Sequence, residues 1–96
     1  MTEFEERIKD FLEEQGIIDE LWQKSLKEAR QEAEAEGWDL FETTKNIFQD
    51  LVNDFIYGWI AENTDDIVRE LLEDAIDSID LDDVINAVII DNQLEV

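Results

Sequence analysis

Apolar side chains recur every three or four residues along nearly the whole chain, the period of a helix buried on one face. Phe4, Ile8, Phe11 and Leu12 begin the pattern. They overlap Thr2-Glu3-Phe4-Glu5, a capping box in which threonine and the glutamate three residues on satisfy two free amide donors reciprocally. Gly16 follows as a stop suited to a left-handed turn. A second helix is predicted from Asp19, with Leu21, Trp22, Leu26, Ala29 and Ala33 inward and Gly37 at its end. Its outer face mixes Lys24, Lys27 and Arg30 with Glu28 and Glu32.

Asp39 opens a third helix in which Leu40, Phe41, Ile47, Phe48, Leu51, Val52, Phe55, Ile56, Trp59 and Ile60 form a broad apolar stripe. So wide a stripe predicts a central helix at about 40–60, contacted by several others. Gly58 inside it costs about 1 kcal/mol relative to alanine, and so predicts close packing of a neighbour. Asn63 or Thr64 is the expected cap of a fourth helix, with Ile67, Val68, Leu71, Leu72, Ala75, Ile76 and Ile79 inward. Asp80 caps a short fifth helix carrying Val84, Ile85, Val88, Ile89 and Ile90. An edge strand over 87–90 is the alternative, but no partner strand is visible. The tail from Asp91 is expected to fray. The fold class expected is all-α, one compact domain over residues 1–96 of four to five helices around the central one.

Charge changes this picture. Twenty-eight acids against seven bases and no histidine give a formal net charge of −21 in 96 residues. A chain so charged repels itself, and without aromatic and aliphatic residues it would read as disordered. The 44% of apolar residues supply the core instead. Residues 46–96 hold Arg69 as their only base. This balance argues against direct contact with nucleic acid or an anionic membrane. No apolar run reaches the roughly 20 residues of a membrane span. The acidic N-terminus is the opposite of a targeting peptide, so a cytoplasmic address is expected.

Catalysis has little to work with. There is no histidine and no cysteine, Ser25 and Ser78 are the only serines, and no nucleophile–base pair assembles. No enzyme activity is expected, and no catalytic residue or organic cofactor is assigned.

Carboxylates are the chemistry that remains. Ca²⁺ takes six to eight oxygen ligands. Glu32, Glu34 and Glu36 alternate before Gly37, and Trp38-Asp39 leads to Glu42. Read as a loop, the closing acid arrives one residue early for an EF-hand, and Thr43 holds that place. A helix–Gly–helix joint ringed by acids is left, where the carbonyls and negative dipole end of the second helix also point. Asp39, Glu36 and Glu42 are the candidate ligands; a plain glycine stop beside a capping Asp39 is the other reading. Asp80, Asp82 and Asp83 form a second acidic knot, either a weak cation site or acids favoured by the helix dipole.

With Gly37-Trp38-Asp39, no histidine or cysteine, and this acid excess, the chain resembles the small cyanobacterial calcium-binding protein, an acidic all-helical Ca²⁺ buffer that is not an EF-hand. The resemblance implies one stronger site depending on an aspartate between helices, carried here by Asp39, and weaker sites on the acidic surface. Reversible Ca²⁺ binding as a buffer or sensor is therefore the first expectation.

A DNA-mimic inhibitor of a nucleic-acid-binding protein is the alternative. Asp66, Glu70, Glu73, Asp74 and Asp77 fall on one face of the fourth helix. Members four residues apart are about 6 Å apart along the axis at 1.5 Å per residue. That approaches phosphate separation along a strand, about 7 Å. A plain acidic module for a basic protein partner is the third possibility.

Overall fold

The Glu5 amide donates to Thr2 Oγ1 at 3.2 Å, and the Thr2 amide donates to Glu5 Oε1 at 2.8 Å. From this capping box runs α1 (Glu3–Glu14) of the computed structural model, which describes residues 1–96. Four more helices follow: α2 (Ile18–Glu36), α3 (Leu40–Asn63), α4 (Asp66–Asp77) and α5 (Leu81–Asp91). The chain is all-α, and residues 87–90 belong to α5. No helix is long and apolar enough to cross a membrane.

Three boundaries differ from the sequence pattern. α2 starts at Ile18 without a side-chain cap, leaving Asp19 in its first turn, where the helix dipole favours it. α3 runs on to Asn63 and is closed by Thr64, whose hydroxyl donates to the Ile60 carbonyl at 2.6 Å. Asp65, rather than Asn63 or Thr64, caps α4 by accepting the Val68 amide at 3.0 Å.

α3 is the axis of the molecule. At 1.5 Å per residue its 24 residues span roughly 36 Å, most of a 44 × 23 × 23 Å body. It contacts α2, α4 and α5, and Phe11 of α1 meets Phe55 and Trp59. Buried Ser25, Ala29 and Thr44 present small side chains where α2 and α3 pair. Both hydroxyls donate back to carbonyls four residues earlier at 2.7 Å, so neither is left unsatisfied. All five helices feed one core. Leu12, Trp22, Phe48, Val52, Ile76 and Val88 are among its buried members, and Trp22 stands edge-on to Phe48 at 5.2 Å.

Two expectations fail here. Gly58 faces solvent, and a Cβ added there would meet nothing within 4 Å. Gly58→Ala is therefore expected to stabilise the fold by about 0.5–1 kcal/mol, by restricting the unfolded chain. A higher thermal midpoint checks this; a lower one would mean another group needs that space.

The tail does not fray at Asp91. Gln93 adopts a left-handed conformation (φ 52°), the Leu94 amide donates to Ile89 O and the Gln93 amide to Ile90 O. That is the bonding of a Schellman stop with glutamine in the usual glycine place. Leu94 enters the core, and Trp22 Nε1 donates to Glu95 O at 2.9 Å.

Candidate recognition surface

Gly37 ends α2 in the left-handed conformation (φ 71°), and Asp39 starts α3 by accepting the Glu42 amide at 2.9 Å. The acids proposed around this joint do not converge. Asp39 is occupied as the cap. Glu36 and Glu32 line an open concavity with Gln31, Ala35 and Trp38, in which neither Asp39 nor Glu42 takes part. Trp38, in that concavity, is 57% exposed.

The second knot is likewise dispersed. Asp80 caps α5 by accepting the Asp83 amide at 3.3 Å. Asp82 pairs with Lys45 at 3.2 Å and accepts from Asn86, and Asp83 is exposed in the first turn. Nowhere does a group of three or more acids stand in a geometry that could hold a metal ion. The donor set therefore does not fit Ca²⁺, which needs several oxygens gathered at once.

α4 is different. It contacts the body mainly through α3, and Ile76 is its only buried residue. Its acids divide into two groups. Glu73 pairs with Arg69 at 2.7 Å, and Asp77 accepts the Tyr57 hydroxyl. That bond, with burial acting the same way, pushes the Tyr57 pKa up to about 12. Asp66, Glu70 and Asp74 remain exposed and have no ion-pair partner, one turn apart in a single row.

Beside that row lie apolar side chains that helical periodicity alone places inward. Ile67, Val68 and Leu71, expected inward, are 75%, 43% and 66% exposed. The reason is geometric. At about 100° per residue, the apolar positions of α4 sweep an arc near 180°, wider than its neighbours cover. Leu72 and Ile76, on the covered edge, help line an apolar groove of about 140 Å³ with Phe4, Ile8, Phe11, Ile56, Trp59 and Ile60. The arc's width is readable in the sequence; which part stays uncovered is not.

Two contacts that hold the surrounding scaffold were also missed. Buried Glu5 completes the capping box with one oxygen and accepts the Asp80 amide with the other at 2.7 Å, tying α1 to the start of α5. Lys9 reaches Asp91 at 2.5 Å and Glu13 at 3.1 Å, and those bonds hold its pKa above the usual lysine range. The amides of Thr2 and then Asp80 hold the Glu5 carboxyl below its ordinary 4.5. A depressed carboxylate contributes stability that is present above the unfolded pKa and lost as pH falls through the folded one. Glu5→Gln is therefore expected to lower the thermal midpoint at pH 7, with the deficit shrinking as pH drops below about 4.5. Melts of both proteins from pH 7 to 3 check this, and a deficit constant with pH would contradict it.

The fold and surface together define a five-helix acidic domain with an unpaired row of carboxylates beside an exposed apolar row. No protein family, curated protein or solved structure matches the chain.

Proposed function

We propose that this chain is an acidic recognition module that binds a basic protein surface of the kind that otherwise holds a nucleic-acid backbone. The observation carrying this is the row Asp66, Glu70 and Asp74, exposed and without ion-pair partners in a half of the chain whose only base, Arg69, is engaged by Glu73. Like charges one turn apart weaken a helix by a few tenths of a kcal/mol per pair. The row is unfavourable for folding and complementary to a basic partner. Such a surface speeds encounter and specifies register.

Calcium binding is the competing proposal for the same carboxylates. It draws on total charge and on the resemblance, whereas recognition of a basic surface needs only the spread of acids that α4 presents.

Proteins eluted by salt from a double-stranded DNA column form the test mixture. Passed over the immobilised chain, the mixture is expected to leave a component that added DNA duplex releases. An immobilised variant with Asp66→Lys, Glu70→Lys and Asp74→Lys should not retain that component. Retention on both surfaces alike, or retention indifferent to DNA, would sink the proposal.

A further inference from the structure

The apolar row of α4 and the acidic row next to it form a composite surface that general charge attraction does not explain. Ile67 and Leu71 lie one turn apart, 75% and 66% exposed, on the flank of α4 away from buried Ile76. Glu70 and Asp74 border them on one side at helical spacing, and Val68 and Leu72 continue the apolar surface toward the groove on the other. From Ile67 to Ile76 the surface runs about 13 Å along the helix, the length of two to three helical turns. The groove at its inner edge includes Phe4 and Trp59 and is lined by apolar side chains alone. Large side chains left in water on a helix that buries one residue have a cost that a bound partner would remove.

Charge decides which partner. A second copy would bring another −21 against this surface, with its own acidic row bordering the contact. A helix carrying lysine or arginine beside an apolar stripe meets both rows at once. Its apolar side chains, at i, i+3 or i+4 and i+7, cover Ile67, Leu71 and the groove, and its bases face Asp66, Glu70 and Asp74. We infer that the Ile67–Leu71 row and the adjoining groove dock a basic amphipathic helix of a partner protein. This rests on the proposed recognition of a basic surface and adds the place and the shape of what is recognised.

The probe is a synthetic 14-residue peptide of leucine and lysine with leucine at helical a and d spacing, against a scrambled peptide of identical composition. Calorimetric titration into the full chain in 0.15 M salt is expected to give binding to the amphipathic peptide. The scrambled peptide should bind about tenfold more weakly or worse. Ile67→Ser with Leu71→Ser, both solvent-facing, should lose about tenfold in affinity for the amphipathic peptide and keep the melting midpoint. The salt slope should stay near wild type in that variant. Asp66→Asn, Glu70→Gln and Asp74→Asn together should flatten the salt slope.

If both peptides bind equally, or the serine variant binds as wild type does, the apolar dock is wrong while recognition of a basic surface stands. If neither peptide binds, both fall. Sedimentation that shows a dimer lost in the serine variant would make a second copy the occupant and overturn the inference.

Discussion

Trp22→Ala is expected to lower the free energy of unfolding by about 3–5 kcal/mol, a large share of the roughly 5–15 kcal/mol that keeps a domain folded. Trp22 is 1% exposed, sits edge-on to Phe48 and touches Phe41. Truncation opens a cavity where α2, α3 and the tail meet. It also leaves the Glu95 carbonyl without its donor and releases the segment that seats Leu94. Trp22→Phe keeps most of the packing and loses that donor, so its expected cost is smaller, about 1–2 kcal/mol. Trp38→Ala, at a residue 57% exposed, should change stability by no more than about 0.5 kcal/mol. Urea unfolding followed by circular dichroism separates the three, the midpoint lowest for Trp22→Ala and nearest wild type for Trp38→Ala, while the slope stays constant. Equal losses at Trp22 and Trp38 would place the core elsewhere.

The second large effect is ionic. Raising sodium chloride from about 0.01 to 1 M shortens the Debye length from about 30 to 3 Å. The fold is expected to gain several kcal/mol from it. Two like charges 10 Å apart in water repel by about 0.4 kcal/mol, and a net −21 on a body 23 Å wide makes many such pairs. The unfolded chain spreads the same charge through a larger volume, so screening favours the folded state. The thermal midpoint should climb steeply at low salt and flatten above a few tenths molar. A midpoint independent of salt would mean that the acids are already compensated.

The fold was legible because local signals agreed. Thr2 with Glu5, Gly37, Asp39 and Asp80 mark helix ends in the sequence, and each does so in the structure. The wide stripe of α3 correctly placed it at the centre. Failures came where a residue's role depends on what lies opposite it. Gly58 shows that a glycine inside a helix does not announce a neighbour, since here the space beside it is open. Ile67 and Leu71 carry the right period but face solvent, because an arc near 180° on a helix supported mainly by one neighbour cannot all be covered. The tail stayed invisible because Gln93 takes a conformation usually left to glycine.

The candidate site was legible in composition and not in geometry. Asp39, Glu36, Glu42, Asp80, Asp82 and Asp83 are close in sequence. Helix capping claims Asp39 and Asp80, Lys45 claims Asp82, and Glu36, Glu42 and Asp83 are exposed without gathering into a group that could hold an ion. The stripe on α4 was readable from spacing alone. Arg69 and Tyr57 then take Glu73 and Asp77 out of it, which no spacing rule reveals.

On the function proposed above, the surplus carboxylates act together as a field for a basic surface and not as an ion site. Thermal melts in calcium and in magnesium, each at the same ionic strength and against a chelator control, separate the two. The two ions are expected to raise the midpoint equally, and Asp39→Asn should leave that equality intact. A rise found with calcium alone, worth about 2.7 kcal/mol at a hundredfold excess over the dissociation constant and lost in Asp39→Asn, would contradict it.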